Sequence, residues 1–136
     1  MNIYIDAAFH PKVKDASIVA VIKEENATLI VGQYIDNLED NHVAEFKALQ
    51  LVLWWLVDQK KQNDLIVIHS DSQLVVDSVM KQHVKDPRYD RIFEEICGLI
   101  DQFSLLFVKW ISEKENRQAD QLAKQVLRKR QNWPFN

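Results

Sequence analysis

The order of the apolar patterns constrains the fold of this chain more than any other feature of its sequence. Residues 2–9 alternate between apolar and polar side chains, and residues 17–23 and 27–35 are runs of β-branched side chains separated by a polar Glu-Glu-Asn segment. Such runs are typical of strands, and short polar breaks between them are typical of turns. The first quarter of the chain therefore predicts three consecutive antiparallel strands.

Helical and strand patterns alternate after these three strands. Residues 42–59 carry apolar side chains at helical spacing, behind Asp40 or Asn41 as the N-cap. Residues 64–69 form a short, continuously apolar run, which is typical of a strand buried on both faces. The remaining predicted elements are a helix that Ser70 or Asp71 caps and that ends near residue 82, a helix over 89–102, a strand over 105–111 and a helix over 116–130. This order predicts an α/β fold, a five-stranded mixed sheet with helices on both faces.

The composition fits one domain over residues 1–136. The chain has only two glycines and three prolines, and it contains no evident linker or repeat. Its apolar fraction of 47% suffices for an ordinary core, since a chain of this length buries about two-thirds of its unfolded surface. Cys97 is the only cysteine, which excludes an intrachain disulfide. We expect a protein of the reducing cytoplasm, without a cleavable leader or a membrane span.

The charge of the chain is distributed unevenly. The net charge is −3, which is unlike the strongly basic character of a general nucleic-acid binder. Residues 107–136 nevertheless hold seven Lys or Arg against three Asp or Glu. Two interpretations of the basic side chains in the last helix stay open, a solvated helix face and a phosphate-binding edge. These side chains are Lys124, Arg128, Lys129 and Arg130.

Four carboxylates occupy positions where a charged side chain is costly. Asp6 interrupts an otherwise apolar strand, and Asp71 stands at the end of the buried strand, where open α/β sheets bind their ligands. Glu45 falls on the core-facing stripe of the first helix, one turn before Ala48. Asp120 lies in the first turn of the last helix and can face inward over the sheet.

Each of these carboxylates also has an ordinary structural explanation. Asp71, taken alone, is better explained as a helix N-cap. Asp120 can interact with the positive end of its helix dipole, and Glu45 becomes an exposed acid if the helix phase shifts by one residue. Asp6 resists such an explanation, because strands are depleted in Asp. One shared cause accounts for all four, namely divalent cations, which bind carboxylate oxygens and compensate clustered negative charge.

Three segments support this interpretation by their resemblance to a known family. They are NHVAEFKAL at the start of the first helix, SDSQLVVDSV after the fourth strand, and WISEKENRQADQLAK at the last helix. In this order, after a strand that holds an Asp, they resemble ribonuclease H of type one, in the short form that lacks a basic protrusion. The resemblance covers nearly the whole chain and implies the ribonuclease H-like fold.

The resemblance implies an enzyme that hydrolyses the RNA strand of RNA/DNA hybrids as a metal-dependent endonuclease. Two Mg²⁺ ions, for which Mn²⁺ can substitute, are implied by the two-metal mechanism. The implied catalytic and metal-binding residues are Asp6, Glu45, Asp71 and Asp120. The expected substrate contacts are Asn41, His42 in place of a second asparagine, Ser72 and Gln73 of the Asp-Ser-Gln segment, Lys114, Asn116 and Arg117. Asn116 is better explained as shaping its loop. The hybrid is the implied partner, and no protein partner is implied.

Departures from the family pattern keep alternatives open. Ala7 follows the strand Asp where the family commonly has glycine, and ISEKEN lacks the family's loop histidine, whose role Glu113 or Lys114 can take. KQHVKDPR is too short for the basic protrusion, so weaker hybrid binding is expected. The first alternative is a catalytically silent hybrid- or RNA-binding module on the same fold, although a binder gains nothing from four acids that repel phosphate. A 3′ exonuclease is less favoured, because such enzymes usually carry Asp-x-Glu in the first strand, where this chain has Asp6, Ala7 and Ala8. A junction resolvase is also less favoured, and it should act as a dimer, which a sizing column tests.

Overall fold

Five strands form one mixed sheet in the computed structural model, which describes residues 1–136. The strands are β1 (Asn2–His10), β2 (Asp15–Glu24), β3 (Ala27–Ile35), β4 (Leu65–Ser70) and β5 (Leu105–Trp110). Their order in the sheet is β3-β2-β1-β4-β5. The first three strands pair in antiparallel fashion, whereas β4 pairs in parallel with both β1 and β5. This arrangement confirms the predicted α/β fold and its mixed sheet.

Four helices connect and cover the strands. They are α1 (Asn41–Asp58), α2 (Gln73–Lys81), α3 (Asp90–Ile100) and α4 (Arg117–Lys129), with short 3₁₀ turns at Pro87–Tyr89 and Glu113–Asn116. The sequence predicted all nine strands and helices, and their ends differ from the predicted ends by at most two residues. None of the helices has both the length and the apolar composition that crossing a bilayer requires.

Different helices cover the two faces of the sheet. α1 packs on one face through Phe46 and Leu49, and α3 packs on α1. α4 packs on the other face through Ala123 and Val126, against Val19 of β2. Because β2 lies between α1 and α4, its residues 15–22 are buried without alternation. The sheet is therefore held between two apolar clusters, and its functional groups must lie at an edge or at a strand end.

The last residues of the chain return to the edge strand β3. The backbone N–H of Trp133 donates to the carbonyl of Gly32 at 2.9 Å, and the side chain of Asn132 accepts from the N–H of Tyr34 at 2.7 Å. Trp133 and Phe135 contact each other edge to face and pack on the apolar cluster beneath α4. This tail therefore fixes the end of α4 to the sheet.

Replacing Gly32 by alanine should destabilise the protein by roughly 1–3 kcal/mol. A β-carbon at this position would lie 2.9 Å from Cβ of Trp133 and 3.2 Å from Cγ2 of Val126, so one of these side chains must move. Gly98→Ala is the matched control, because a β-carbon there meets no atom within 4 Å and alanine favours the helix. Urea unfolding measures the free energy of unfolding of both variants. If Gly32→Ala is as stable as the wild type or more stable, this result would contradict the packing of the tail on β3.

Candidate active site

Asp6 and Asp71 lie at the place where two parallel strands stop pairing. The last pair in the register of β1 and β4 joins Ile5 to Ser70, so Asp6 and Asp71 are the next residues along their strands. Both side chains are partly buried. The carboxyl end of the central parallel pair is the usual place for ligands in such sheets. The structure therefore places two of the four predicted acids at one edge.

Glu45 reaches the same edge from α1. The helix begins behind Asp40, whose side chain accepts the N–H of Val43, and this cap orients the first turns. Glu45 and Asp6 line one small depression, together with Ala7 and Ser70. The Glu45 side chain is only 18% exposed, in agreement with its predicted position on an inward-facing stripe.

Two side chains of the first turn of α1 hold the Glu45 carboxylate. The Nδ1 atom of His42 lies 2.9 Å from Oε1 of Glu45, and the Nδ2 amide of Asn41 donates to the same oxygen at 3.5 Å. Both donors are exposed on their outer side. The predicted substrate contacts Asn41 and His42 therefore lie directly beside a predicted metal ligand.

Asp71 does not cap α2, and the predicted cap is wrong. Ser72 is the N-cap, and its hydroxyl accepts the N–H of Val75 at 3.3 Å. Ser70 cannot serve, because β4 continues through it and its hydroxyl accepts the N–H of Ser72 at 3.1 Å. The carboxylate of Asp71 is consequently free of the structural role that best explained it from sequence alone.

Asn116 and Trp110 position Asp71 from the far end of the chain. The buried amide of Asn116 donates to the carbonyl of Ile5 at 2.9 Å and to Oδ2 of Asp71 at 3.4 Å. The indole N–H of Trp110 donates to the backbone carbonyl of Asp71 at 3.3 Å. The sequence predicted that Asn116 shapes the loop before α4. It gave no signal for Trp110, because that contact depends on the register of β4 with β5.

Asp120 completes the group from α4 and already has a cationic partner. Its Oδ2 atom lies 3.1 Å from Nζ of Lys124, one turn later, and its side chain is 40% exposed. This ion pair neutralises Asp120 more directly than the helix dipole does. The other carboxylate oxygen of Asp120 has no ion pair within the protein.

The charges of the four acids act on one another. Burial and then the charge of Asp71 raise the pKa of Asp6 to about 8, with smaller contributions from Asp120 and Glu45. The N–H of Ala7 donates to Oδ1 of Asp6 at 2.9 Å and partly opposes this rise. Asp6 is therefore the carboxylate that gains most from a nearby positive charge.

The pKa of Asp71 is raised for the same reasons. Burial is the largest cause, and the charges of Glu113, Glu45 and Asp120 add to it, while the hydrogen bond from Asn116 lowers it. Glu113 had been predicted only as one replacement for the missing loop histidine. Its charge acts on Asp71, so Glu113 is a fifth acid near this end of the sheet.

This environment fits a hard cation. All four side chains offer carboxylate oxygens, which divalent ions such as Mg²⁺ prefer, and a cation would offset the cost of ionising Asp6 and Asp71. No three His, Cys, Asp or Glu side chains are arranged to hold an ion without movement. Closing around a cation therefore requires side-chain shifts.

The other predicted substrate contacts differ in their exposure. Gln73, Lys114 and Arg117 are exposed at the starts of α2, the second 3₁₀ turn and α4, respectively. Ser72 and Asn116 are buried, and each makes hydrogen bonds within the protein. The exposed side chains are available to a ligand, whereas the two buried ones act on the loops that carry the acids.

Asn116→Ala should cost about 1–3 kcal/mol of stability, because the carbonyl of Ile5 and the carboxylate of Asp71 lose a buried hydrogen-bond donor. The matched control is Asn63→Ala at an exposed position, where the cost should stay within about 0.5 kcal/mol. Thermal unfolding measures the stability of both variants. Asn116→Ala with unchanged stability would contradict the buried hydrogen bond to Ile5.

The chain matches a protein-family model described as reverse transcriptase-like over residues 4–126. A curated relative from Enterococcus faecalis, "Putative hydrolase EbsB", is 32% identical over 131 residues, which are 95% of this chain and 95% of the relative.

Solved structures of ribonucleases H share the fold. LC11-RNase H1, obtained from compost and solved in complex with an RNA/DNA hybrid, aligns with a TM-score of 0.82 and 27% identity over 94% of this chain and 96% of that chain. RNase H1 from the archaeon Halobacterium salinarum aligns with a TM-score of 0.80 over 92% of this chain and 95% of that chain, and at 23% identity it shows the fold alone. These matches confirm the predicted resemblance to ribonuclease H of type one.

Proposed function

Since this chain belongs to the reverse transcriptase-like family, we propose that it is a metal-dependent endonuclease that hydrolyses the RNA strand of RNA/DNA hybrids. The observation that carries the proposal is the placement of Asp6, Asp71 and Glu45 at the carboxyl end of β1 and β4. Asp120 lies near enough on α4 to contribute, after burial and the charge of Asp71, to the raised pKa of Asp6. The hydrolase name of the E. faecalis relative supports the reaction class. The hybrid bound to LC11-RNase H1 supports the substrate.

The residues that would hold two Mg²⁺ ions, or Mn²⁺ in their place, are Asp6, Glu45, Asp71 and Asp120. When bound, such ions lower the pKa of a water to generate a nucleophile and stabilise the charge on the phosphate and on the leaving oxygen. The protein keeps the carboxylates near one another and restrains their orientation. No side chain has to form a covalent intermediate with the substrate.

Polar side chains around the acids would select the hybrid. Asn41, His42 and Gln73 are exposed at the N-terminal ends of α1 and α2. Side chains in such positions can contact the wide minor groove of a hybrid, where 2′-hydroxyls distinguish RNA from DNA. Ser72 supports this surface through its cap of α2 and does not need to contact the substrate.

Lys114 and Arg117 would bind phosphates of the substrate. Both are exposed and follow β5 on the way to α4, near the acids. The affinity that they supply should fall as salt rises, because phosphate contacts release counterions. We further propose that residues 1–136 act as one domain in the cytoplasm, where the free thiol of Cys97 stays reduced.

Cleavage of an end-labelled RNA/DNA hybrid tests the proposed function. We expect internal cuts in the RNA strand in Mg²⁺ or Mn²⁺, none with EDTA, and none in duplex DNA or duplex RNA of the same sequence. Binding of the hybrid without cleavage in either metal would contradict the enzyme and favour the silent binding module. Cuts in all three duplexes would contradict the proposed selectivity.

A further inference from the structure

A cavity of about 390 Å³ separates the β1–β2 turn from α4. We call it the α4 groove. Its polar lining residues are His10, Asp15, Lys124, Arg128 and Arg130. The groove therefore receives three of the cations whose role the sequence left open, and it lies outside the depression that holds Asp6 and Glu45.

The single acid of the α4 groove is already neutralised. The Asp15 side chain is only 8% exposed, and its Oδ2 atom accepts the hydroxyl of Tyr34 at 2.7 Å and lies 3.8 Å from Nε of Arg130. Because this carboxylate is buried and paired, it contributes little charge to the open side of the groove. Arg128, which has no ion pair, leaves that open side positive, whereas Lys124 is paired with Asp120.

Arg130 is held in a fixed orientation. It ends α4 in a left-handed conformation with φ of 55°, its Nε donates to the hydroxyl of Tyr34 at 3.0 Å, and its guanidinium lies 5.8 Å from the centre of that ring. Only Nε is used in these hydrogen bonds, so the two terminal nitrogens remain free. A planar pair of N–H donors matches two oxygens of one phosphate.

His10 adds a donor on the opposite wall. Its Nδ1 atom accepts the N–H of Val13 at 3.2 Å within the β1–β2 turn. In the neutral ring the proton must then be on Nε2, which is a hydrogen-bond donor. The groove thus offers donors from both the turn and the helix.

The α4 groove lies next to the candidate active site. Lys124 lines the groove and also contacts Asp120 at 3.1 Å. Arg128 lies two helical turns beyond Asp120, about 12 Å along the axis at 1.5 Å per residue.

We propose that the α4 groove binds a backbone phosphate of the substrate, away from the bond that the four acids cleave. This inference rests on the proposed function and deepens it by giving the substrate a second anchor. Arg128, whose guanidinium has no hydrogen bond or ion pair within the protein, and the free end of Arg130 supply the contacts. Such an anchor compensates in part for the missing basic protrusion.

Salt-dependent binding of a hybrid tests the groove. Arg128→Gln is made in the Asp71→Asn background, which prevents cleavage, and the dissociation constant of a fluorescent hybrid is measured by anisotropy at several salt concentrations. We expect roughly tenfold weaker binding at low salt and a salt slope smaller by about 0.9. Arg128→Lys should restore most of the slope. Arg91→Gln is the matched control, because it removes the same charge from an exposed position on α3, beyond the other face of the sheet.

Two shortened hybrids locate the anchor. Each of them keeps the duplex on only one side of the cleavage point and ends at that point. The effect of Arg128→Gln should disappear with one of them and persist with the other. An identical salt slope for Arg128→Gln and Arg91→Gln would overturn the groove, as would an effect that persists with both shortened hybrids. Failure of the wild-type protein to cleave any hybrid would overturn the proposed function instead. The salt dependence of hybrid binding by the Arg128 and Arg91 variants would still show whether the groove binds a phosphate.

Discussion

Replacing Asp71 by asparagine should abolish hybrid cleavage in Mg²⁺, with a rate loss on the order of 10³-fold or more. Asparagine keeps the size of the side chain and one of its oxygens, but it removes the charge that attracts a cation. Bound cations contribute several kcal/mol to transition-state stabilisation, and each 1.4 kcal/mol or so corresponds to a factor of ten. Single-turnover cleavage of a labelled hybrid measures the loss.

Asp64→Asn is the control for this experiment. Asp64 directly precedes β4, as Asp71 directly follows it, but Asp64 is exposed and its only ion pair is with Lys61 at 3.9 Å. Its substitution should leave the cleavage rate unchanged. The stability of Asp71→Asn should equal or exceed that of the wild type in EDTA, because burial disfavours the charge of Asp71. Cleavage by Asp71→Asn at more than a tenth of the wild-type rate would contradict the assigned role.

The stability of the metal-free protein should fall as the pH rises from about 4 to about 8. The pKa of Asp6 is raised from 3.8 to about 8 in the folded state, so the folded chain keeps a proton that the unfolded chain has lost. The stabilising contribution of that proton is complete below the lower pKa and is lost as the pH rises through the upper one. The decrease attributable to Asp6 reaches as much as ~6 kcal/mol, and Asp71 acts in the same direction.

Asp6→Asn isolates this effect. The amide oxygen of asparagine can still accept the N–H of Ala7, while the titrating charge is gone. In EDTA, this variant should be progressively more stable than the wild type towards pH 9, as measured by urea unfolding. Mg²⁺ at about 100 times its dissociation constant should stabilise the wild type by about 2.7 kcal/mol and the variant by much less. A constant difference between the two proteins across the pH range would contradict the raised pKa.

Local patterns in the sequence predicted the strands and helices, because periodicity and caps act over a few residues. The position of Asp6 inside a strand and of Asp71 after one were visible in the same way. Their meeting at one edge depends on the pairing of Ile5 with Ser70. That register is a long-range property, which the resemblance to a family supplied and periodicity could not.

The errors arose where neighbouring residues compete for one role. Ser70, Asp71 and Ser72 are all good N-caps, and Ser72 takes the role because β4 extends one residue further than predicted. The ion pair between Lys124 and Asp120 spans one turn of α4 and was accessible from spacing alone. The contact of Trp110 with Asp71 was not, since β4 and β5 are joined only by the fold.

The tail also determines where another polypeptide can extend the sheet. Trp133 and Asn132 occupy backbone groups of β3, which closes part of that border to β-augmentation. At the opposite border, β5 exposes about half of Leu105 and of Phe107. A foreign strand that joins this protein would therefore add beside β5, on the border that lies away from α4 and its groove.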